Sequence, residues 1–271
     1  LGAGWLIIGI AVSEWATVNR HIDWHSPVGS HLRRKAWLLT SIAVLWYVGF
    51  TAAWHPKLFT PLPVEPTSIK QPLVAFIQQK QLTHTETILD NPSQPLSAAF
   101  AATSETPLVH LLEQAGWQPA DPPTLTNFFK LLNQGMMYTR TPLAPVFWNG
   151  QINDLGFERQ VEVDGEKVID TLRLWKTDWL VDDSPVFVGV VRSYTGMYWK
   201  ILHQVAPDTG AATQRLMQLI AEQKPKPTTC MVELGKAEIG TYLLGMPYFS
   251  NGKIGLVDLR AETTTPLCST Q

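Results

Sequence analysis

His203 and Asp208 are the two residues of this chain whose types and spacing best suit catalysis. A histidine close to a carboxylate can act as a general acid and base, or can help to bind a metal ion. A structural explanation competes, because His203 shares one face of a predicted strand with Trp199, Ile201 and Val205, and Asp208 stands where it can cap the following helix. The sequence favours the structural roles, and hydrolysis at His203 and Asp208 is kept as the alternative.

Arg173 and Trp175 are candidate binding residues in the run DTLRLW. Residues two apart on a strand lie on the same face of the sheet. An arginine can stack on a tryptophan ring, either within one domain or where the domain meets a lipid headgroup. The competing explanation is that the two residues only form the polar face of a sheet.

Three histidines near the start of the chain could suggest a metal site, because His21, His25 and His31 surround Asp23. Their spacing is loose, and nearby cations would repel a divalent ion. We therefore expect no metal site and no cofactor. The net charge of -2 and the pI near 6.4 also provide no basic field, so a nucleic-acid partner is not expected.

The segment 36–54 is the strongest signal in the sequence, because it contains 19 residues without a charge. A membrane-spanning helix needs about 20 apolar residues, and Trp37 and Trp54 stand near the ends, as interfacial aromatics do. A buried helix of a soluble domain and the apolar part of a signal peptide are the alternatives. We predict a transmembrane helix.

Charges on either side of this segment predict its orientation. The positive-inside rule places the cationic loop 13–35 in the cytoplasm, and the apolar run 1–12 then predicts the end of an incoming helix. The chain is thus expected to be a truncated membrane protein of a bacterial-type inner (plasma) membrane, with residues 55–271 outside the cytoplasm. The cations that determine this topology are Arg20, Arg33, Arg34 and Lys35.

Cys230 and Cys268 are the only cysteines, and both fall in the part expected outside the cytoplasm, where disulfides persist. Neither has metal-ligand spacing. The sequence leaves open whether they form a disulfide or remain two free thiols.

Beyond the predicted membrane domain 1–54, five prolines in residues 55–72 predict a stiff linker, and 73–271 predict a globular domain. Apolar periodicity predicts helices from Thr106 to Gly116, from about Leu125 to Gly135 and from about Gly210 to Gln223.

Strand and turn signals complete the prediction of the fold. Asp164-Gly165 predicts a tight hairpin turn, SPVFVGVV a central strand, and Ser250-Asn251-Gly252 a second hairpin between TYLLGMPYF and KIGLVDLR. Hairpins without strand–helix–strand alternation favour an α+β fold, a mainly antiparallel sheet with helices packed on one side.

Residues from about 95 to 223 resemble the LssY C-terminal domain family. The resemblance is carried by PLAPVFWNGQINDLGFER, DTLRLW, SPVFVGVV, the segment from His203 to Pro207-Asp208, and Gln214-Arg215. Such domains commonly follow a membrane-embedded phosphatase of the type-2 phosphatidic-acid phosphatase family, so the resemblance implies the last part of that membrane domain before residue 55. Thr171 departs from the family pattern, where a histidine is frequent, and so does TGAATQRL after Asp208.

The resemblance implies that this chain is the C-terminal accessory portion of a lipid-phosphate phosphatase fusion. The phosphatase motifs themselves are not in this sequence, so the chain alone is not expected to be catalytic. Its outer domain would bind or present membrane lipid, an envelope polymer or a partner protein. Two alternatives remain, a hydrolase that uses His203 and Asp208, and a membrane-tethered scaffold without chemistry.

Overall fold

A computed structural model describes residues 37, 38, 41, 65–87, 91–121, 140, 143, 146–198, 202–242, 245–260 and 265–268. The chain divides into two compact units, Leu1–Pro63 and Val64–Gln271. Nearly all of the first unit, and with it the predicted membrane helix 36–54, lies outside the described residues. Among those that are described, no helix has the length and apolar character needed to cross a membrane.

The second unit is rich in β-structure. Its described helices are α1 (Leu73–Gln79), α2 (Glu105–Gln114) and α3 (Thr209–Ala221). The described strands are β1 Thr67–Ser68, β2 His84–Glu86, β3 Pro92–Pro95, β4 Ala98–Ala101, β5 Gln118–Pro119, β6 Phe147–Trp148, β7 Gln151–Ile152, β8 Leu155–Val163, β9 Glu166–Val181, β10 Ser184–Tyr198, β11 Leu202–Val205, β12 Thr228–Glu233, β13 Glu238–Thr241, β14 Pro247–Ser250 and β15 Lys253–Asp258.

The main sheet has the strand order β12-β15-β4-β10-β9-β8-β5, with β1 added beside β9 and β11 beside β10. Its pairs are antiparallel except β15 with β4 and β1 with β9. Two smaller sheets, β13-β14 and β3-β2-β6-β7, are also antiparallel. The prediction of a mainly antiparallel α+β domain is confirmed for this unit.

Strand β10 runs through the centre of the main sheet, as its apolar run predicts. Its side chains alternate between the two faces, and both faces are buried. Val186 and Val188 join one core with Leu73 and Phe76 of α1, while Phe187 joins the other core, which includes residues of α2 and α3. Helices therefore cover both faces, and the prediction that they pack on one side is wrong because α1 lies opposite the other two.

One predicted hairpin is confirmed and the other is wrong. Asp164 and Gly165 both have positive φ, 52° and 81°, and join β8 to β9 in continuous register. The turn at Ser250-Asn251-Gly252 does not join a hairpin, because β14 pairs with β13 and β15 pairs with β12 and β4. We name the β13–β14 pair and its connecting residues the tyrosine hairpin, for Tyr242 and Tyr248.

Two of the predicted helices are found within two residues of their expected bounds. Helix α2 ends where Gly116 takes a φ of 83°, and α3 begins after Asp208. The helix predicted from Leu125 to Gly135 lies outside the described residues. The folded unit also begins earlier than the expected linker end at 72, because β1 pairs with β9 and Ile69 is buried.

The end of the described chain is attached to the main sheet by a covalent bond and an ionic network. Cys230 of β12 and Cys268 form a disulfide with 5.8 Å between their Cα atoms, which selects one of the two states that the sequence left open. The buried Arg260 donates to Asp258 and Asp182, and the Asp182 carboxylate accepts from the backbone of Thr265.

Candidate functional site

The site that best suits ligand binding lies on β9 and β10, on the face of the main sheet covered by α1. In the antiparallel register Arg173 lies opposite Val190, and Thr171 lies opposite Arg192. Arg173 and Arg192 are therefore diagonal neighbours on one face. We name the following residues the arginine–tyrosine cluster: Arg173, Arg192, Tyr194, Tyr242, Thr171 and Gln94.

Arg173 is the fully buried arginine of the cluster and has no exposed surface. Its Nη2 donates to the Tyr194 hydroxyl at 2.8 Å, and its Nη1 donates to Oγ1 of Thr171 at 3.2 Å. These two bonds orient the guanidinium of Arg173, which is buried beside a second arginine.

Arg192 is the diagonal neighbour of Arg173 on this sheet face and remains partly exposed. Its Nε donates to Oε1 of Gln94 at 2.7 Å, and its guanidinium carbon lies 4.7 Å from the ring centre of Tyr242. The Tyr242 hydroxyl also donates to Oε1 of Gln94, at 3.2 Å. A guanidinium over an aromatic face is stabilised by the ring quadrupole. Arg192 is thus held in place by the amide of Gln94 and the ring of Tyr242.

Gln94 reaches the cluster because strand β4 ends its pairing with β10 opposite Gly189. Beyond Gly189, side chains replace the missing strand and bond to backbone groups at the edge of β10. The Val191 carbonyl accepts from Nε2 of Gln94, and the Val191 backbone N–H donates to Oγ of Ser97. Since backbone groups in the interior need partners, the same amide that satisfies the strand edge also positions Arg192.

The pKa values in the cluster reflect burial and the two positive charges. Burial and the charge of Arg173 lower the pKa of Arg192. Burial also acts to raise the pKa of Tyr194, but Arg173 and Arg192 outweigh it, so its pKa lies below the ordinary value. Burial raises the pKa of Tyr242 to about 12, against the effect of Arg192. The field in the cluster therefore favours negative charge at Tyr194.

A second layer of polar contacts supports the tyrosine hairpin. The rings of Tyr242 and Tyr248 are 5.1 Å apart. The Tyr248 hydroxyl lies 3.0 Å from both the carbonyl oxygen of Ser93 and Oε1 of Glu238, and Nε2 of His84 lies 3.0 Å from the same carboxylate oxygen. Burial, followed by the bond to Glu238, raises the pKa of Tyr248. These contacts hold Tyr242 over Arg192.

The residues predicted for catalysis are placed as follows. Asp208 is exposed and caps α3, where its Oδ1 accepts from the backbone N–H groups of Gly210 and Ala211. His203 lies in β11 and pairs with Met197, and the orientation of its side chain lies outside what the structure describes. The structure thus gives Asp208 the capping role that the sequence favoured.

Trp175 is buried on the same face as Arg173 but belongs to an apolar environment. Its Nε1 donates to the Gln151 carbonyl, and its ring lies 6.2 Å from that of Trp148. Of the predicted binding pair, Arg173 enters the polar cluster and Trp175 enters the core. Within the described residues, no three His, Cys, Asp or Glu side chains are grouped to hold a metal ion.

The sequence analysis did not single out Arg192, Tyr194, Tyr242 or Gln94. Arg192 and Tyr194 do carry a signal, since RSY interrupts an apolar central strand and places two polar side chains on the face that carries Val186, Val188 and Val190. Gln94 and Tyr242 carry no sequence signal of a role in the site, because they reach it from distant segments of the chain.

The arrangement suits the binding of an anion. Two guanidinium groups share one sheet face, two tyrosine hydroxyls lie beside them, and the aromatic ring of Tyr242 lies over Arg192. Hydrogen bonds from arginine to oxyanions are among the strongest that side chains form.

Together, the fold and the cluster define a sheet-rich α+β domain with a buried cationic site. The family model described as LssY C-terminus matches residues 76–254, which is more than half of the chain, and the chain belongs to this family. The resemblance noted from the sequence is thereby confirmed. The match covers this domain and does not show a preceding phosphatase domain. Searches of curated proteins and of solved structures each gave no match.

Proposed function

We propose that this chain is the accessory C-terminal portion of a membrane lipid-phosphate phosphatase, and that its LssY domain binds an anionic component of the membrane or cell envelope. The placement of Arg173 and Arg192 as diagonal neighbours on one sheet face carries this proposal, because two guanidinium groups concentrate positive charge there. An anion bound at the partly exposed Arg192 would be attracted by both charges. This arrangement serves binding and presentation, with the phosphatase chemistry expected elsewhere in the parent protein.

Two observations support a location outside the cytoplasm. The disulfide between Cys230 and Cys268 is of a kind that persists in oxidising compartments. The uncharged segment 36–54, preceded by Arg33, Arg34 and Lys35, has the pattern of a helix that leaves the cytoplasm. We therefore propose a bacterial-type inner membrane protein whose residues 55–271 face outwards, with membrane lipid as the nearest source of anions.

The hydrolase alternative has less support. It requires His203 and Asp208 to act together, and Asp208 uses Oδ1 to accept two backbone bonds at the start of α3. The scaffold alternative has one observation in its favour, because Ile239 and Phe249 lie opposite each other in the tyrosine hairpin and both are exposed. The exposed area of two side chains is small compared with the apolar patches of roughly several hundred Å² that mark interaction surfaces.

The proposal is tested by thermal unfolding of the full chain, in a non-ionic detergent, with citrate, sulfate or phosphate against sodium chloride of equal ionic strength. Such anions stabilise folded proteins in general by exclusion from the surface, so the expected sign of binding is a larger rise in Tm for the wild-type chain than for Arg192→Gln with at least one of them. An equal rise in the two proteins with every anion would overturn the proposal.

A second measurement addresses catalysis. We expect no phosphate release from a lipid pyrophosphate by this chain alone. Release that disappears in His203→Ala would instead establish the hydrolase alternative.

A further inference from the structure

We propose that the outer face of the tyrosine hairpin is a docking surface for the lipid bilayer to which the proposed function anchors the chain. The outer face consists of the exposed residues of β13 and β14, which are Ile239, Thr241, Pro247 and Phe249. The inference rests on the membrane anchor of the proposed function and adds a contact that is separate from the arginine–tyrosine cluster. It follows from the chemistry of the outer face, from the way the hairpin is held, and from the length of the tether.

The two faces of the tyrosine hairpin differ in exposure and in chemistry. Tyr248 and Ser250 of β14 are buried, while Pro247 and Phe249 are exposed. Ile239 retains 80% of its surface and lies directly opposite Phe249, which retains 43%. An antiparallel sheet with one solvated face normally carries polar side chains on that face. The outer face is mainly apolar, so its composition does not match contact with water alone.

The stretch 239–251 contains no Asp, Glu, Lys, Arg or His. The charge that precedes it, Glu238, is engaged on the inner side, where its Oε1 lies 3.0 Å from Nε2 of His84 and 3.0 Å from the Tyr248 hydroxyl. Moving a charged group out of water is costly. An uncharged hairpin can therefore enter the interface of a bilayer without that cost.

The charges around the outer face are of both signs. Lys236 and Lys253 are exposed beyond the two ends of the hairpin. Glu233 lies opposite Lys253 in the main sheet, and the exposed Asp208 forms an isolated β-bridge with Phe249. Mixed charges give little electrostatic preference for anionic lipid. We therefore expect the outer face to dock on a zwitterionic bilayer through its apolar side chains.

The hairpin is attached to the domain along its inner face and one edge. The Tyr248 hydroxyl lies 3.0 Å from the carbonyl oxygen of Ser93, and the backbone N–H of Phe249 donates to the Pro207 carbonyl at 2.7 Å. The end of β13 is held by the ring contact with the arginine–tyrosine cluster. The hairpin cannot turn to bury its outer face without losing these contacts, so the apolar side chains stay directed outwards.

The tether keeps the domain close to a bilayer. In the proposed function the chain leaves the membrane at residue 54, and ten residues, 55–64, precede the first described residue of the domain. Ten residues span at most about 35 Å when fully extended. Attachment by a short linker gives an effective concentration on the order of millimolar. A contact too weak to hold a free protein at a membrane is therefore sufficient for a tethered domain.

The elements that follow the tether contact the base of the hairpin. Nε2 of Gln78 in α1 donates at 2.9 Å to the carbonyl of Leu234, which stands just before β13. Nε2 of His84 in β2 lies 3.0 Å from Oε1 of Glu238, the first residue of β13. The start of the domain and the tyrosine hairpin are thus neighbours. This favours the hairpin over more distant surfaces as the part that meets the bilayer.

The small size of the outer face favours a bilayer over a protein partner or a second copy of the chain. A stable protein interface buries roughly 1,200–2,000 Å², and two large side chains fall far short of that area. A bilayer requires no complementary shape, and apolar side chains enter the boundary between its headgroups and acyl chains. The same two side chains that are too few for a protein partner are therefore suited to a lipid surface.

The test places a fluorescent label on the outer face of the full chain in lipid nanodiscs that hold one copy each. Thr241→Cys carries an environment-sensitive NBD label, and Cys230 and Cys268 do not react without a reducing agent because they form a disulfide. The control label is carried by Glu162→Cys, at an exposed position of β8. The discs contain phosphatidylcholine, with or without a doxyl-labelled lipid that quenches NBD. We expect a blue shift and quenching at residue 241 and neither at residue 162.

Two sets of substitutions test the apolar side chains. Ile239→Ser with Phe249→Ser is expected to lower the ratio of docked to undocked domains at least about 10-fold, and so to remove most of the quenching at residue 241. The matched control is Ile152→Ser, which removes another exposed isoleucine, on β7, and should leave the quenching unchanged. Near-ultraviolet circular dichroism checks that each variant retains its tertiary structure.

The remaining outcomes separate this inference from the proposed function. Equal quenching at residues 241 and 162, or an equal loss in Ile152→Ser and the double variant, would refute docking by the hairpin. Quenching that requires phosphatidylglycerol would contradict apolar docking, and a blue shift seen only in discs with two copies would assign the outer face to a second copy. A chain that does not enter the discs would refute the membrane anchor and this inference together. Failure of the label test in an anchored chain would leave anion binding by the cluster standing.

Discussion

Tyr242 follows β13 in the tyrosine hairpin and Arg192 lies in the main sheet, yet the guanidinium carbon of Arg192 lies 4.7 Å from the centre of the Tyr242 ring. The contact joins the tyrosine hairpin to the central strand of the main sheet. The ring of Tyr242 also covers one side of Arg192, which is the partly exposed arginine of the cluster. The tyrosine hairpin is thereby held against the main sheet at the arginine–tyrosine cluster.

Two substitutions of Tyr242 separate its ring from its hydroxyl. Tyr242→Phe keeps the ring over Arg192 and loses the bond to Gln94, so it should lower the free energy of unfolding by about 1 kcal/mol. Tyr242→Leu also loses the aromatic face, and the loss should be about 2–3 kcal/mol because packing and the cation–π contact are both removed. Urea unfolding near neutral pH measures both values. Equal losses in the two variants would show that the ring contributes little.

Tyr242 should also make the domain less stable in alkaline solution. Its pKa is about 12 in the folded protein and about 10 in the unfolded chain. Between these values the unfolded chain loses a proton that the folded protein retains, so the free energy of unfolding falls as pH rises. In Tyr242→Phe this part of the loss should be absent. Urea unfolding at about pH 8 and about pH 11 measures the difference for wild type and variant.

The comparison between variants is needed because Tyr194 acts in the opposite direction. Its pKa is lowered in the folded protein, so its contribution to stability grows as pH rises through the folded pKa towards the unfolded value. Tyr194 is common to wild type and Tyr242→Phe, and its effect cancels in the difference. The same pH dependence in both proteins would contradict the role given to Tyr242.

The disulfide should contribute strongly to stability. Cys230 and Cys268 are 38 residues apart in sequence, and cross-linking a loop of this length restricts the unfolded chain by about 3–4 kcal/mol. We expect Cys230→Ser with Cys268→Ser to lower the free energy of unfolding by this amount, and a reducing agent to act in the same way on the wild type alone. A reducing agent that also destabilises the double variant would mean that its effect is not exerted through this disulfide.

Gly189 is expected to be intolerant of any side chain. A Cβ atom at this position would lie 2.6 Å from the Arg173 carbonyl oxygen and 2.6 Å from Cδ2 of Leu174. Both neighbours belong to the paired strand β9, so the strands would have to separate. Gly189→Ala should therefore cost about 2–3 kcal/mol of unfolding free energy. Gly235→Ala is the matched control, since a Cβ there meets no atom within 4 Å, and a similar loss in both variants would refute the steric explanation.

The features that followed from the sequence depend on neighbouring residues. The turn at Asp164-Gly165 requires two positive φ values that these residues tolerate. Helices α2 and α3 follow from apolar periodicity and from the cap at Asp208. The central position of β10 follows from a run that is apolar on both faces. Each of these signals is complete within a short segment.

The hairpin prediction that was wrong concerns a strand, β15, whose pairing partners lie far away in the sequence. Ser250-Asn251-Gly252 has the composition of a hairpin turn, but β15 finds a better-buried place between β12 and β4. Burial of Ile254 and Leu256 in the core decides this pairing, and local turn preference does not. Burial also explains why α1 covers the second face of the main sheet, since its apolar side chains pack in that core. No signal within the α1 segment indicates which face it covers.

The sequence by itself determined the class of the fold, helices α2 and α3, membership of the LssY C-terminal family and Arg173 as a candidate binding residue. Only the tertiary structure decided that Arg192, Tyr194, Tyr242 and Gln94 join it, and that Asp208 serves as a helix cap. The physical reason is that a binding site is made of side chains brought together by strand register and by packing between sheets. Those contacts join segments that are far apart in the chain, and no periodicity within one segment records them.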